Sequence, residues 1–195
     1  MRYAGIVKND FAAAPGISVT VFVQGCPHHC PGCFNMETWD FDGGEEFTEN
    51  LYQEINDAIV ANNIDRNLVI QGGEPLCPEN LDFTLSIIEH VLAEYPETKV
   101  YVYTGYELNQ LMSMKYTDKY ETLQRILNYL TWIKVGPFRW ELRDITLQYR
   151  GSSNQKIIRC PLTLGGKIDK ILVDDNEKIK GEGYEQSRRL NSIND

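Results

Sequence analysis

Three cysteines within eight residues are the feature of this sequence most suited to chemistry. Cys26, Cys30 and Cys33 form a C-x3-C-x2-C pattern in a short loop whose prolines and glycine help it to fold back on itself. A cubane [4Fe–4S] cluster is usually held by four cysteines. Three local cysteines would leave one iron open, and an open metal position is characteristic of catalytic rather than structural sites.

A structural zinc site is the main alternative. The three cysteines with His28 or His29 could supply the four ligands of a tetrahedral zinc ion. Structural zinc sites more often combine C-x2-C with a second, distant pair, whereas the other cysteines here, Cys77 and Cys160, stand alone. The spacing therefore favours an iron–sulfur cluster.

Composition narrows the class of protein. The chain has 195 residues, of which 42% are hydrophobic, enough for one well-buried core but not for two large domains. The net charge of −9 and the lack of a Lys/Arg-rich block argue against a nucleic-acid binder. We find neither a signal peptide nor the roughly 18 apolar residues of a membrane span. We expect a cytoplasmic protein, in which clustered cysteines bind metal more often than they form disulfides.

Alternating strand and helix patterns predict an α/β fold. The predicted strands are Ile17–Gln24, Leu68–Gln71, Lys99–Tyr103 and Trp132–Val135, and the predicted helices are Glu49–Asn62, Asn80–Glu94, Glu107–Met112 and Tyr120–Leu130. Four such units would make part of a barrel or an open curved sheet, and we expect a partial (β/α) barrel of mostly parallel strands. We expect residues 1–166 to form this core, and 167–195 to add an extension with a short strand at 168–173 and a mobile tail.

Four unusual segments each begin where a predicted strand ends. They are Cys26–Cys33, Gly72-Gly73-Glu74-Pro75, Thr104-Gly105-Tyr106 and Gly136-Pro137-Phe138. Active sites of parallel α/β folds lie at the carboxyl ends of the strands. The sequence therefore predicts that these segments meet on one rim.

The cysteine loop after one strand and Gly-Gly-Glu-Pro after the next resemble the radical S-adenosylmethionine (SAM) superfamily. The resemblance implies that Cys26, Cys30 and Cys33 hold the [4Fe–4S] cluster and that SAM binds the open iron through its amino and carboxylate groups. An electron from the cluster then splits the sulfonium and gives a 5′-deoxyadenosyl radical, which abstracts a hydrogen atom. The protein contributes placement, exclusion of water and tuning.

The resemblance also assigns the contacts to SAM, at Gly32, Cys33, Phe34, Gly72, Gly73, Glu74, Pro75 and Thr104. Gly72 and Gly73 can take positive φ and leave room for a ligand, so a side chain there should weaken SAM binding more than folding. Glu74 and nearby carbonyls suit a cationic amino group. The alternatives are an ordinary turn for the glycine-rich segment and for Thr104, and core packing for Phe34.

A longer match is similar to the activating proteins of anaerobic (class III) ribonucleoside-triphosphate reductases. It includes Gly25–Asn35, Thr38-Trp39, Tyr103–Tyr106 and Arg150–Gln155, and the resemblance extends from Asp10 to Ile158. It implies a glycyl radical made on the partner reductase with electrons from a low-potential donor. Arg150–Gln155 contacts the partner or SAM, or is a polar turn.

The sequence departs from the usual motifs of this family in two places. The family often has Val-Asp-Gly where this chain has Lys134-Val135-Gly136, and Gly-Gly-Asp where it has Gly73-Glu74. The segment 160–195 has no counterpart in the family.

Three other functions are alternatives to activation of the reductase. They are an activase of another glycyl radical enzyme such as pyruvate formate-lyase, a small-molecule radical SAM enzyme, and a zinc-stabilised adaptor without catalysis.

Overall fold

A computed structural model describes residues 1–114 and 118–162. The strands are β1 Arg2–Asp10, β2 Ser18–Val23, β3 Glu45–Glu46, β4 Asn67–Gly72, β5 Val100–Tyr103, β6 Trp132–Val135 and β7 Lys156–Arg159. The helices are α1 Asn50–Ile59, α2 Leu81–Glu94, α3 Leu108–Ser113 and α4 Tyr120–Tyr129. The four predicted strands and four predicted helices are therefore confirmed, whereas the extension at 167–195, with its predicted strand, lies outside the described residues.

The strands form one open sheet of mixed direction. Their order is β3-β1-β2-β4-β5-β6-β7. The four central strands β2, β4, β5 and β6 are parallel, while β1, β3 and β7 pair antiparallel at the two sides. The predicted α/β class is confirmed, but the prediction of mostly parallel strands is correct only for the centre. The sheet is not closed into a barrel.

The antiparallel strands at the sides lack the pattern by which the central ones were predicted. The central strand β2 is buried along almost its whole length, which gives the apolar run typical of a parallel strand covered on both faces. Strand β1 is half-exposed and ends in Lys8, Asn9 and Asp10. Strand β7 has only four residues with exposed basic ends. Neither segment carries enough apolar alternation to indicate a strand.

The two faces of the sheet have different partners. On one face, Val21, Ile70, Val102 and Ile133 join the main core with residues of the helices α1, α2 and α4. The opposite face carries a smaller cluster, which consists of Ala13, Ala14, Val69, Tyr101, Trp132 and Ile157. Because side chains alternate along a strand, Tyr103 and Lys134 follow Tyr101 and Trp132 on this second face. No helix within the described ranges is long and apolar enough to span a membrane.

Candidate functional site

A cavity of about 390 Å³ lies at the carboxyl ends of the parallel strands, within the usual size range of cofactor pockets. Of the residues predicted from the sequence, it is lined by Cys26, Cys30, Cys33, Phe34, Gly72, Gly73, Glu74 and Thr104. Gly32 and Pro75 do not line it. Gly32 is covered by the Trp140 ring, and the carbonyl of Pro75 accepts a hydrogen bond from Thr84 in α2. The cavity therefore unites all four predicted rim segments, the fourth through Gly136 and Phe138.

Backbone hydrogen bonds fix the loop that carries the cysteines. The amides of Gly25 and Cys26 donate to the carbonyls of Thr38 and Trp39, at 2.8 and 3.1 Å. Within the loop, the Cys33 amide donates to the Cys30 carbonyl at 3.0 Å. The end of the loop is thereby joined to its beginning, which confines the three thiols to one side of the cavity.

The thiols are placed where a metal centre can stabilise their charged form. Burial raises the pKa of the Cys26 thiol to about 11, while the backbone N–H groups of His28 and His29 act in the opposite direction. Burial also raises the pKa of Cys30. The Asn35 amide donates to the sulfur of Cys33 at 3.4 Å. Thiolates desolvated in this way, but supplied with N–H donors, suit a cationic metal centre.

Both histidines of the loop are engaged by other side chains. Nε2 of His28 lies 2.8 Å from Oε2 of Glu74, and its ring meets the edge of Tyr106. The ring of His29 stacks on Trp39 at 4.7 Å. Because a metal-ligating histidine usually bonds a carboxylate through its other ring nitrogen, these contacts by themselves leave the zinc alternative open. In residues 1–114 and 118–162, no three His, Cys, Asp or Glu side chains, the three loop cysteines included, form a group that could hold a metal ion. The assignment of Cys26, Cys30 and Cys33 therefore rests on their spacing and on the cavity that they share.

Glu74 is buried, 1% exposed, and its carboxylate accepts four hydrogen bonds. Oε1 accepts from the Thr104 hydroxyl at 2.7 Å and the Leu76 amide at 2.9 Å. Oε2 faces His28 at 2.8 Å and accepts from the Gly105 amide at 2.7 Å. These donors occupy the lone-pair directions of a carboxylate. Glu74 thus joins the cysteine loop to the turns that follow β4 and β5.

The two glycines before Glu74 allow a close approach of two backbones. Gly72 has φ of +102°, a conformation that favours glycine. Gly73 does not have a positive φ, so its backbone conformation does not require glycine. The Gly73 amide donates to the Val23 carbonyl and the Glu74 amide to the Gly25 carbonyl, both at 2.8 Å. A β-carbon at Gly73 would clash with the Gly25 carbonyl oxygen. Here the glycine makes room for the cysteine loop, which differs from the ligand space expected from the sequence.

Comparisons with known proteins agree with this geometry. Residues 12–158 match the family described as a 4Fe-4S single cluster domain. Curated relatives named anaerobic ribonucleoside-triphosphate reductase-activating protein include one from Salmonella typhi, 34% identical over 80% of this chain and 97% of the relative. Relatives from Pasteurella multocida and Enterobacteria phage T4 bear the same name, at 37% identity (82% and 98% covered) and 36% identity (80% and 93% covered).

The chain belongs to this family of activating proteins. The resemblance noted in the sequence is thereby confirmed. The matched range begins before the cysteine loop and ends in β7, so it contains all the residues that line the cavity except Asp10. Membership in the 4Fe-4S family supports an iron–sulfur cluster over zinc.

Lys134 is a cavity residue to which the sequence prediction gave no role. It is buried on β6, and its ammonium nitrogen lies 5.1 Å from the centroid of the Tyr103 ring. Burial lowers the pKa of Lys134 to about 8, while Glu74 and the three cysteines of the loop act to raise it. The sequence feature that could have drawn attention to Lys134 is its position inside the otherwise apolar strand Trp132–Val135. In this activating protein it places a desolvated positive charge beside the predicted cluster ligands.

The segment Arg150–Gln155, typical of the family, holds a loop together. Oε1 of Gln155 accepts from the amides of Gly151 and Ser152, and its Nε2 donates to the Gly136 carbonyl at 2.9 Å. Nδ2 of Asn154 donates to the Pro137 carbonyl at 2.8 Å. These bonds fasten the end of the loop at positions 136–155 to its beginning. Arg150, Gly151 and Gln155 also line the cavity.

The hydrogen bond between His28 and Glu74 should help to retain the cluster. We expect H28F, which keeps a ring against Tyr106 but removes the bond, to release iron to a chelator about 10–100-fold faster, as is usual when a partner of a metal-ligand shell is lost. H28Q keeps a donor of similar reach and should release iron at nearly the wild-type rate.

The control is H29N, because asparagine tolerates the positive φ of His29. It should release iron at nearly the wild-type rate. If H28Q loses iron while H28F retains it, ring packing rather than the hydrogen bond fixes the loop.

Proposed function

We propose that this protein is a radical SAM activase that cleaves SAM reductively at a [4Fe–4S] cluster and generates a glycyl radical on an anaerobic ribonucleoside-triphosphate reductase. One observation carries the proposal. Cys26, Cys30 and Cys33 line the same cavity as the turns at Gly72–Glu74 and Thr104, at the carboxyl ends of parallel strands. Relatives of similar length carry the name of this activity.

The residues present fit both cofactors. Cys26, Cys30 and Cys33 would hold the cluster, and Gly32, the residue before Cys33, closes the loop under Trp140. Phe34, Gly72, Gly73, Glu74 and Thr104 would border SAM, with Pro75 behind them directing the chain into α2. When bound, the cluster supplies a low-potential electron and SAM supplies the radical that removes hydrogen.

The chain's own groups bind, orient and exclude water. The Glu74 carboxylate already accepts four hydrogen bonds from the protein. Its negative charge, together with the neighbouring backbone carbonyls, would attract the ammonium group of SAM. Lys134, which also lines the cavity, would attract negative charge there, and its ammonium group is shielded from water. Both interactions are strengthened by burial, because few water dipoles screen them.

The fold supports a partial (β/α) barrel of the radical SAM type. Four parallel strands carry helices on one face and the cavity residues on the other, as expected for a barrel wall that encloses a site. We assign residues 1–166 to this core and 167–195 to an extension. A cytoplasmic location, a low-potential electron donor and no contact with nucleic acid complete the proposal, the last supported by the net charge of −9.

The decisive experiment is anaerobic activation. Protein reconstituted with iron and sulfide is mixed with the reductase, SAM and dithionite, and the glycyl radical is measured by electron paramagnetic resonance together with 5′-deoxyadenosine. We expect a radical on the reductase that requires SAM, reductant and cluster. Pyruvate formate-lyase serves as the control substrate and should stay without a radical. A radical on the formate-lyase alone would contradict the proposed partner.

A further inference from the structure

The connection between β6 and β7 is much longer than the fold requires. Antiparallel neighbours can be joined by a two-residue hairpin, yet 20 residues, 136–155, separate these strands. Apart from a short 3₁₀ turn at Trp140–Leu142 and one β-bridge between Arg143 and Ser152, this connection has no regular structure, and loops longer than about 12–15 residues without it are uncommon and usually either functional or disordered. This loop is ordered by the hydrogen bonds of Asn154 and Gln155 and by the Arg139 amide, which donates to the Ser152 hydroxyl at 3.1 Å.

The loop holds aromatic side chains at the surface beside the cysteines. Trp140 is 58% exposed and Phe34 is 73% exposed. The Arg143 guanidinium lies between them, 5.9 Å from the Phe34 ring centroid and 5.4 Å from that of Trp140. Phe138 lies 6.4 Å from each of the two rings. We call these four residues the aromatic rim.

The rim is continuous with the cavity. Phe34 and Phe138 line the cavity, while Trp140 covers Gly32 on the outside of the cysteine loop. Exposed aromatic side chains that adjoin a site mark an interaction surface more often than isolated apolar residues do. Cation–π contacts with Arg143 limit the movement of the rings, so little freedom remains to be lost when a partner binds.

We propose that the aromatic rim docks the glycine-bearing segment of the reductase, an inference that rests on the proposed function. A backbone glycine must enter the cavity for its hydrogen atom to be removed, and a segment that enters beside the cysteines passes over these rings. A segment around glycine offers bare backbone, against which flat aromatic faces pack closely. Tryptophan and arginine are also the residues that most often dominate the affinity of protein interfaces.

Two variants and a control test the docking surface. W140A and R143A should raise the KM for the reductase at least ten-fold, the scale of a dominant interface residue. In R143A, whose side chain does not cover Gly32, iron content and SAM cleavage without reductase should stay within about two-fold of wild type. The control is I64A, because Ile64 is similarly apolar and 41% exposed but precedes β4, at the opposite end of the sheet; it should leave the KM unchanged.

The outcomes separate this inference from the proposed function. If wild-type protein makes no radical on the reductase, both fail. If wild type activates the reductase and both variants show an unchanged KM, only the docking surface is wrong. An equal loss of SAM cleavage without reductase in R143A, which does not cover Gly32, would place the rim in cofactor binding and overturn the inference. A KM change explained by altered self-association in sedimentation would overturn it as well.

Discussion

Replacing Cys26, Cys30 or Cys33 by alanine is expected to abolish the cluster and all radical formation. Each thiol lines the cavity, and in the proposed cluster each of the three would hold one iron. Loss of a single ligand leaves an iron without a protein donor, and the energy of metal binding that holds the loop is lost with it. Iron and sulfide content after anaerobic reconstitution, with the brown colour of the cluster checked on the same samples, would show the loss.

Cys77 and Cys160 provide matched controls in the same chain. Cys77 is buried, its thiol donates to the Glu74 carbonyl at 3.1 Å, and burial raises its pKa to about 12. It lines no part of the cavity, and neither does Cys160. C77A and C160A should keep their iron, with a stability cost of about 1 kcal/mol for the small void. Loss of iron in C77A together with its retention in C30A would refute the ligand assignment.

Gly73→Ala is expected to damage the fold and the cluster together. The added β-carbon would meet the carbonyl oxygens of Gly25 and Val23, which are backbone atoms that cannot move aside as a flexible side chain can. Overpacking of this kind costs about 1–3 kcal/mol or more. Because Gly25 precedes Cys26, relief of the clash shifts the start of the cysteine loop. We expect a lower melting temperature, poor iron loading and weak SAM binding.

Gly43→Ala is the control for this variant. Its β-carbon would meet the side-chain amide of Gln24 rather than a strand backbone, so it should melt closer to wild type and load iron. From the sequence alone, Gly73→Ala should instead weaken SAM binding while the protein melts almost normally. A near-native melting curve with full iron content would favour that first expectation and count against the packing role.

The sequence by itself determined the chemistry and the order of the central elements. The spacing of three cysteines, the Gly-Gly-Glu-Pro turn and four apolar strands are local patterns, each contained in a few consecutive residues. Because parallel strands bring their carboxyl ends to one edge, the segments after Gln24, Gln71 and Tyr103 could be placed together without a structure. The family comparisons confirm the identity predicted from these patterns.

Only the tertiary structure decided what each of these residues contacts. The four hydrogen bonds of Glu74 come from the cysteine loop, from its own turn and from the turn after β5. The β-carbon space at Gly73 is closed by a carbonyl 48 positions earlier in the chain. The depressed pKa of Lys134 depends on burial, which outweighs the opposing effect of Glu74 and of the cysteine loop, two segments far from Lys134 in the sequence. The antiparallel edge strands β1 and β7 are likewise fixed by pairing with β2 and β6 rather than by their own apolar pattern. Local patterns report propensity and spacing, whereas burial, clashes and hydrogen-bond partners arise between segments far apart in sequence and exist only once the chain is folded.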